Sequence, residues 1–217
     1  DYYDQKTNRF THFKKEKENE NSLLFNDLRK IVLEPDSGLW IAYQLNKLVV
    51  SFYSFKDKTF THYYFGESDN SYYIYDMCKD ARNNLWIITH KNIYRMDIAT
   101  RSVVEVPLKD SFYLNAQTIS ADNNNNIWIG TIGNGLVKYD IQTSRFTVFD
   151  DILKFNASSI YSLCADGDNN MWMGTDNGLF RYSPVDSTFF RFDKKDGVQG
   201  QVYYPLSSLR SKDGSLY

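Results

Sequence analysis

Apolar and polar residues alternate along this chain in short runs broken by Asn, Asp or Gly, and no helical period is sustained. Ile160-Tyr-Ser-Leu-Cys-Ala165 and Ile74-Tyr-Asp-Met-Cys-Lys79 are typical. A period of two turns alternate side chains to opposite faces, which predicts strands. The same phrase follows each such run. Glu34-Pro-Asp-Ser-Gly-Leu-Trp40, Asp80-Ala-Arg-Asn-Asn-Leu-Trp86, Asp122-Asn-Asn-Asn-Asn-Ile-Trp128 and Asp166-Gly-Asp-Asn-Asn-Met-Trp172 all place a carboxylate six residues before a Trp. Two residues before each Trp stand Gly38, Asn84, Asn126 and Asn170, types that readily adopt positive φ, so these positions are expected to turn a hairpin.

Beyond each Trp come a short strand, a Gly/Asn break, a third strand and an aromatic fourth strand. In one unit these are Trp128-Ile-Gly-Thr, Gly133-Asn-Gly, Leu136-Val-Lys-Tyr-Asp140 and Phe146-Thr-Val-Phe149. The tryptophans lie 46, 42 and 44 residues apart. Four antiparallel strands at that period match a propeller blade, whereas a β-sandwich has no need of one phrase at a fixed interval. The fold expected is all-β, a β-propeller fragment of four-stranded antiparallel blades, four complete with partial blades at both ends. The expected boundaries are blades at 20–65, 70–109, 112–151 and 155–196, with 1–13 ending a preceding blade and 199–217 starting a following one. The sequence opens inside the pattern, so both ends are expected to continue in a longer chain.

Aromatic residues make up 17% of the chain, a composition that suits half-buried sheet surfaces. A net charge of −2 gives no basic face for nucleic acid. Lys14, Lys15 and Lys17 alternate with Glu16, Glu18 and Glu20 and read as a solvated loop. Cys78 and Cys164 each sit eight residues before a Trp, at one position in two non-adjacent blades, so they are expected to be small buried residues too far apart to bridge. His12 and His62 occupy matching places in Phe-Thr-His and are expected on outer-strand surfaces. With His90 they form no metal-ligand pattern. No Gly-x-Ser-x-Gly elbow or phosphate-cradling loop occurs, so no catalytic residue, metal or cofactor is assigned. Repetition in every unit makes the carboxylates Glu34, Asp80, Asp122 and Asp166 turn-formers that accept backbone N–H bonds.

The phrases Asp122-x-x-x-Asn-Ile-Trp-Ile-Gly-Thr131…Gly135-Leu-x-x-Tyr-Asp140-x-x-Thr143-x-x-Phe146 and Asp166…Trp172-Met-Gly-Thr175…Gly178-Leu-Phe-Arg-Tyr182 closely resemble the two-component regulator propeller repeat. Ala42 and Ile88 depart from it where Gly130 and Gly174 stand. The resemblance implies the periplasmic sensor region of a hybrid two-component protein. The parent would add a second propeller, a β-sandwich, a membrane span, a histidine kinase and a response-regulator output, would detect an oligosaccharide, and could pair with itself.

Strand order places the loops that lead into each blade and the loops joining second to third strands on one face. That face is expected to collect Tyr72, Tyr73, Tyr113 and Asn115, with Tyr43, His90, Lys91, Asn134 and Asn177 from the second set. Aromatic rings stack on the C–H face of a sugar and amides pair with its hydroxyls, which makes Tyr72, Tyr73, Tyr113, Asn115, His90 and Asn134 the candidate ligand contacts. The competing readings are a scaffold propeller that binds protein, and a propeller-fold glycoside hydrolase or lyase.

Overall fold

The computed structural model describes residues 1–66, 73–108, 114–211 and 213–217, with the backbone alone at Phe155. The described strands are short and joined by tight turns, as the alternating runs require. The chain separates into two units, Asp1–Ile74 and Tyr75–Tyr217. The first holds a two-stranded hairpin, β1 (Tyr2–Asp4) and β2 (Arg9–Thr11), and one four-stranded sheet. That sheet runs in the order β3 (Leu28–Glu34), β4 (Gly38–Tyr43), β5 (Val49–Ser54) and β6 (Phe60–Tyr64).

The second unit holds three more sheets of the same antiparallel order. They comprise β7 (Asp76–Lys79), β8 (Asn84–Ile88), β9 (Ile93–Asp97) and β10 (Val103–Val106), then β11 (Ala116–Ala121), β12 (Asn126–Thr131), β13 (Leu136–Asp140) and β14 (Arg145–Phe149). The last is β15 (Ile160–Ala165), β16 (Met171–Thr175), β17 (Gly178–Ser183) and β18 (Thr188–Phe192). Short 3-10 turns cover Asp151–Phe155 and Lys194–Asp196. In 203–217, Leu209 and Tyr217 exchange backbone bonds and Arg210 bridges Leu216.

Packing in the second unit is sheet against sheet. Trp86, Ile88 and Ile93 of its first sheet meet Ile119, Ile127 and Val137 of the next. Trp128 and Leu136 in turn meet Leu163, Met171 and Phe180. Such sheets are apolar on both faces because each is sandwiched. Close approach also needs a bare backbone at one point. A Cβ on Gly130 would stand 2.5 Å from the Ile160 side chain, so only glycine lets β15 come this near. Asp76, at 1% exposure, ties neighbouring sheets together, its Oδ2 accepting from Thr118 Oγ1 at 2.9 Å and the Ile119 amide at 3.0 Å.

The repeated phrase folds into a clamp. Oδ1 of Asp122 accepts the amides of Asn124 (2.9 Å) and Asn126 (2.8 Å), closing the hairpin. Its Oδ2 accepts the Asn126 side-chain amide and the Trp128 indole N–H, both at 2.8 Å. Asp80 with Asn84 and Trp86, and Asp166 with Asn170 and Trp172, repeat the arrangement. Asp80, Asp122 and Asp166 are turn-formers, as expected, and the indole bond is an addition that the spacing concealed.

One expectation about this turn fails. Positive φ falls on Asn83, Asn125 and Asn169, and on Asp36 in the first sheet, not on Asn84, Asn126, Asn170 or Gly38. Asn84 and Asn126 already open their strands and Asn170 directly precedes β16, and all three side chains reach back to the carboxylate. Gly38 is there for space, since a Cβ would lie 2.0 Å from the Tyr53 carbonyl oxygen.

The tryptophans also differ. Trp40, Trp86 and Trp128 are at most 1% exposed, whereas Trp172 is only half-buried, its outer face bordering a groove beside residues 203–217. The cysteines are half-buried as well. Cys78 pairs across the sheet with Trp86 and Cys164 with Trp172, the matching positions expected, and neither is joined in a disulfide.

Asp122→Asn keeps the shape of the clamp but turns an NH2 towards donors that require an acceptor. Buried charge-assisted bonds of this kind contribute about 1.5–3 kcal/mol each, so the variant should lose roughly 2–4 kcal/mol of stability. Urea unfolding followed by tryptophan fluorescence measures this, and an unchanged midpoint would contradict the clamp's role.

Candidate functional site

The two ends of the sheets in the second unit have different chemistry. At the end carrying the clamps, carboxylates are consumed by their own turns. Between third and fourth strands, Asp97 accepts the amides of Ala99 (2.9 Å) and Thr100 (2.8 Å), and Asp140 those of Gln142 (2.8 Å) and Thr143 (3.0 Å). Backbone donation, led by Thr100 and Thr143, holds both carboxyls below the usual carboxylate range. For Asp166, burial raises the carboxyl, but bonds from the Asn170 amide, the Trp172 indole and two backbone amides outweigh it and leave it lowered. Groups committed in this way have little left for a ligand.

At the opposite end the loops bridge from one sheet to the next. The His90 carbonyl accepts the Ala116 amide at 3.3 Å. Asn115, at φ 47°, brackets the β12–β13 loop, its carbonyl accepting from the Ile132 amide at 3.0 Å and its Nδ2 donating to the Ile132 carbonyl at 2.7 Å. The Gly133 amide donates to the Ser158 carbonyl at 2.7 Å, and Ser158 Oγ donates to Asp176 at 2.6 Å. Thr131 and Thr175 shape the second-third loops by accepting the amides of Asn134 (3.1 Å) and Asn177 (3.0 Å). A continuous, braced platform results.

Of the candidate contacts, this platform brings together His90, Asn115 and Asn134, all half-buried. The His90 ring lies 5.9 Å from that of Tyr75. Asn115 spends its amide donor on Ile132 and acts first as a brace, a role that only the fold displays. Asn177 is likewise engaged, accepting from the Arg191 guanidinium at 2.9 Å. Tyr73 belongs to the first unit and is 45% exposed. Tyr72 and Tyr113 lie outside the described residues.

Tyr43 is not on the surface. It is 1% exposed and its hydroxyl donates to Ser51 Oγ at 2.8 Å. Ser51, itself fully buried, lies 2.6 Å from His62 Nδ1. His62 is therefore half-buried rather than an outer-strand surface residue, while His12 is exposed beside Asp1 at 2.9 Å. The segment 15–24 covers β6, its Asn21 carbonyl accepting the Phe60 amide, and this is what removes His62 from solvent. Equivalent sequence did not mean equivalent surroundings. Among the described residues, no three His, Cys, Asp or Glu side chains gather in a way that could hold a metal ion.

A family model described as "Two component regulator propeller" matches residues 68–91 and 154–177. No curated protein matches the chain in sequence. Over 99% of its length the chain resembles, with TM-score 0.70 and 21% identity, 28% of the extracellular domain of a protein from B. thetaiotaomicron described as a hybrid two component system. A second such domain from that organism gives TM-score 0.68 and 21% identity over 92% of this chain and 27% of the other. Virginiamycin B lyase from Staphylococcus aureus is similar at TM-score 0.62 and 13% identity, over 88% of this chain and 68% of the lyase. The four-stranded sheets are thus blades of a propeller, and the chain spans about a quarter of the two extracellular domains.

Burial pushes the His62 imidazole below its ordinary value of 6.5, although the carbonyls of Glu20 and Ser22 pull the other way. With the folded value depressed, the unfolded chain binds the proton first. The stability contributed is present above 6.5 and is lost as pH falls below it. Unfolding of the first unit measured between about pH 5 and pH 8 should show this decline, and His62→Gln should flatten it. A slope unchanged in the variant would assign the titration elsewhere.

Proposed function

We propose that this chain is part of the extracytoplasmic ligand-sensing propeller of a hybrid two-component signalling protein, and that its loop-bridged face recognises an oligosaccharide. The resemblance of nearly the whole chain to the extracellular domain of such a system carries this reading. The repeats matched at 68–91 and 154–177 support it independently. In this reading the chain lies on the periplasmic side of a membrane-anchored parent. It continues into a second propeller, a β-sandwich, a membrane span and a kinase, and it associates with itself. No helix among the described residues is long and apolar enough to cross a membrane, so a span would lie in other segments.

The platform supports sugar recognition in particular. Its loops carry an imidazole and amides at half-buried positions on a braced backbone, while Tyr73, 45% exposed in the first unit, is a candidate on its sequence position. Tyr72 and Tyr113 remain candidates on their sequence positions. Bracing matters because a pre-formed surface avoids the ordering cost of a mobile one. The likeness to virginiamycin B lyase favours a second reading, an enzyme on the same fold.

An array of plant and host glycans, followed by calorimetry on the best ligand, tests the first reading. Tyr73→Ala and Asn134→Ala should each weaken binding roughly tenfold, about 1.4 kcal/mol. New reducing ends or unsaturated sugars released from a polysaccharide panel would favour the enzyme. Normal binding by both variants, with loss on Asn124→Ala, would place the site at the clamp end.

A further inference from the structure

Segment 15–24 is tied to the first sheet by a chain of hydrogen bonds that runs in one direction. The Leu24 amide donates to the Tyr43 hydroxyl at 3.4 Å, that hydroxyl donates to Ser51 Oγ at 2.8 Å, and Ser51 Oγ lies 2.6 Å from His62 Nδ1. An amide N–H can only donate, so it turns the Tyr43 O–H towards Ser51 and the Ser51 O–H towards the ring. Nδ1 is therefore an acceptor, and the ring proton sits on Nε2. The carbonyls of Glu20 and Ser22 take up the donor of the ring, which returns the chain of bonds to the segment where it began. Every group named belongs to the first unit.

The segment is itself organised. Ser22, 7% exposed, accepts the Glu16 amide at 2.9 Å and donates to the Asn19 carbonyl at 2.8 Å. The Phe60 amide ties it to β6 through the Asn21 carbonyl at 3.1 Å, and Leu23 adds an apolar anchor at 5% exposure. A cavity of about 650 Å³ between segment and strand reaches His62, so a small displacement of the segment opens the ring to water. The charged groups around this cavity, Lys15 and Lys17 against Glu16, Glu18 and Glu20, are all exposed, and so is Tyr64. Screened by solvent, they give no buried counter-ion to an imidazolium. On the sheet side the ring meets only hydroxyls, and burial raises that of Tyr43 above its ordinary value, which keeps it neutral.

A second proton on the ring must go to Nδ1, where Ser51 already directs its hydrogen. Ser51 Oγ would then accept instead, and one hydroxyl hydrogen along the chain of bonds would lose its acceptor. Ser51 and Tyr43 are 0% and 1% exposed, so water cannot replace it. We propose that His62 is the catch of a proton-operated latch: the neutral ring holds segment 15–24 on β6, and the doubly protonated ring turns to solvent and releases it. Release uncovers the outer edge of β6, the last strand of its sheet, and leaves the β4–β5 ladder intact. Burial disfavours the charged ring, which sets release on the acid side of 6.5.

Amide hydrogen exchange of the intact chain, read by NMR as protection factors at about pH 7.5 and about pH 5, tests the latch. The Leu24 and Phe60 amides should lose protection at least roughly tenfold at the lower pH, while amides of the β4–β5 ladder keep theirs. In His62→Gln the side-chain oxygen can accept from Ser51 and the NH2 can donate to the carbonyls, but nothing titrates. That variant should hold the segment equally at both pH values. The ring carbons of His62 in the unmodified chain provide a second measurement that needs no variant. Their titration midpoint should coincide with the loss of protection. A charged His62 under a segment still protected overturns the proposal, as does a ring still neutral at the lower pH. Ladder amides that exchange in step with Leu24 and Phe60 overturn it too, because the whole unit is then unfolding.

Discussion

A buried carboxylate that must find donors organises the second unit. In each of its three clamps an aspartate takes two backbone amides with one oxygen, and a side-chain amide and an indole N–H with the other. Leaving Asp122 at 5% exposure without those donors would be costly, so the hairpin, the first strand residue and the tryptophan ring are set by one group. The ring so oriented is the surface on which the next sheet packs. Local turn chemistry and long-range sheet packing are therefore coupled through a single side chain. The first sheet has Glu34 and Gly38 where the others have Asp and Asn, and its turn differs, with positive φ at Asp36.

That coupling divides labour between the ends of the sheets. At the clamp end the repeated aspartates satisfy their own turns, which makes the turns rigid and chemically quiet. At the other end connections run from sheet to sheet, and bonds such as those of Asn115 with Ile132 and Gly133 with Ser158 lock neighbouring loops. Variation there costs little, because the sheets are held by tryptophans and aliphatic faces elsewhere. An interaction surface can then be built on loops whose backbone is fixed by contacts that do not involve the ligand.

Sheet faces obey a stricter rule than loops. Each interior blade must be apolar on both sides, with glycine where backbones come closest, as at Gly130. The contrast between Trp128 at 1% exposure and the half-buried Trp172, or between Ile119 and Ile31, follows from what stands opposite and not from the residue itself.

The sequence by itself determined the repeat, the number and order of strands in each unit, the turn role of the aspartates and the equivalence of Cys78 with Cys164. Each of these rests on spacing and on local preferences that neighbouring residues settle among themselves. Which asparagine takes positive φ was beyond it, because adjacent asparagines are equally able locally and the tertiary demand for a side chain reaching back to Asp122 decides. The pairing of His12 with His62 misled for a similar reason. Identical strand phrases predict identical surroundings, but the segment 15–24 covers only one of them. Tyr43 looked like a loop residue until Ser51 gave its hydroxyl a buried partner. Asn115 was legible as a polar residue at the right end of its sheet, but not as a brace. That bond joins residues 17 positions apart, and only the packed sheet brings them together.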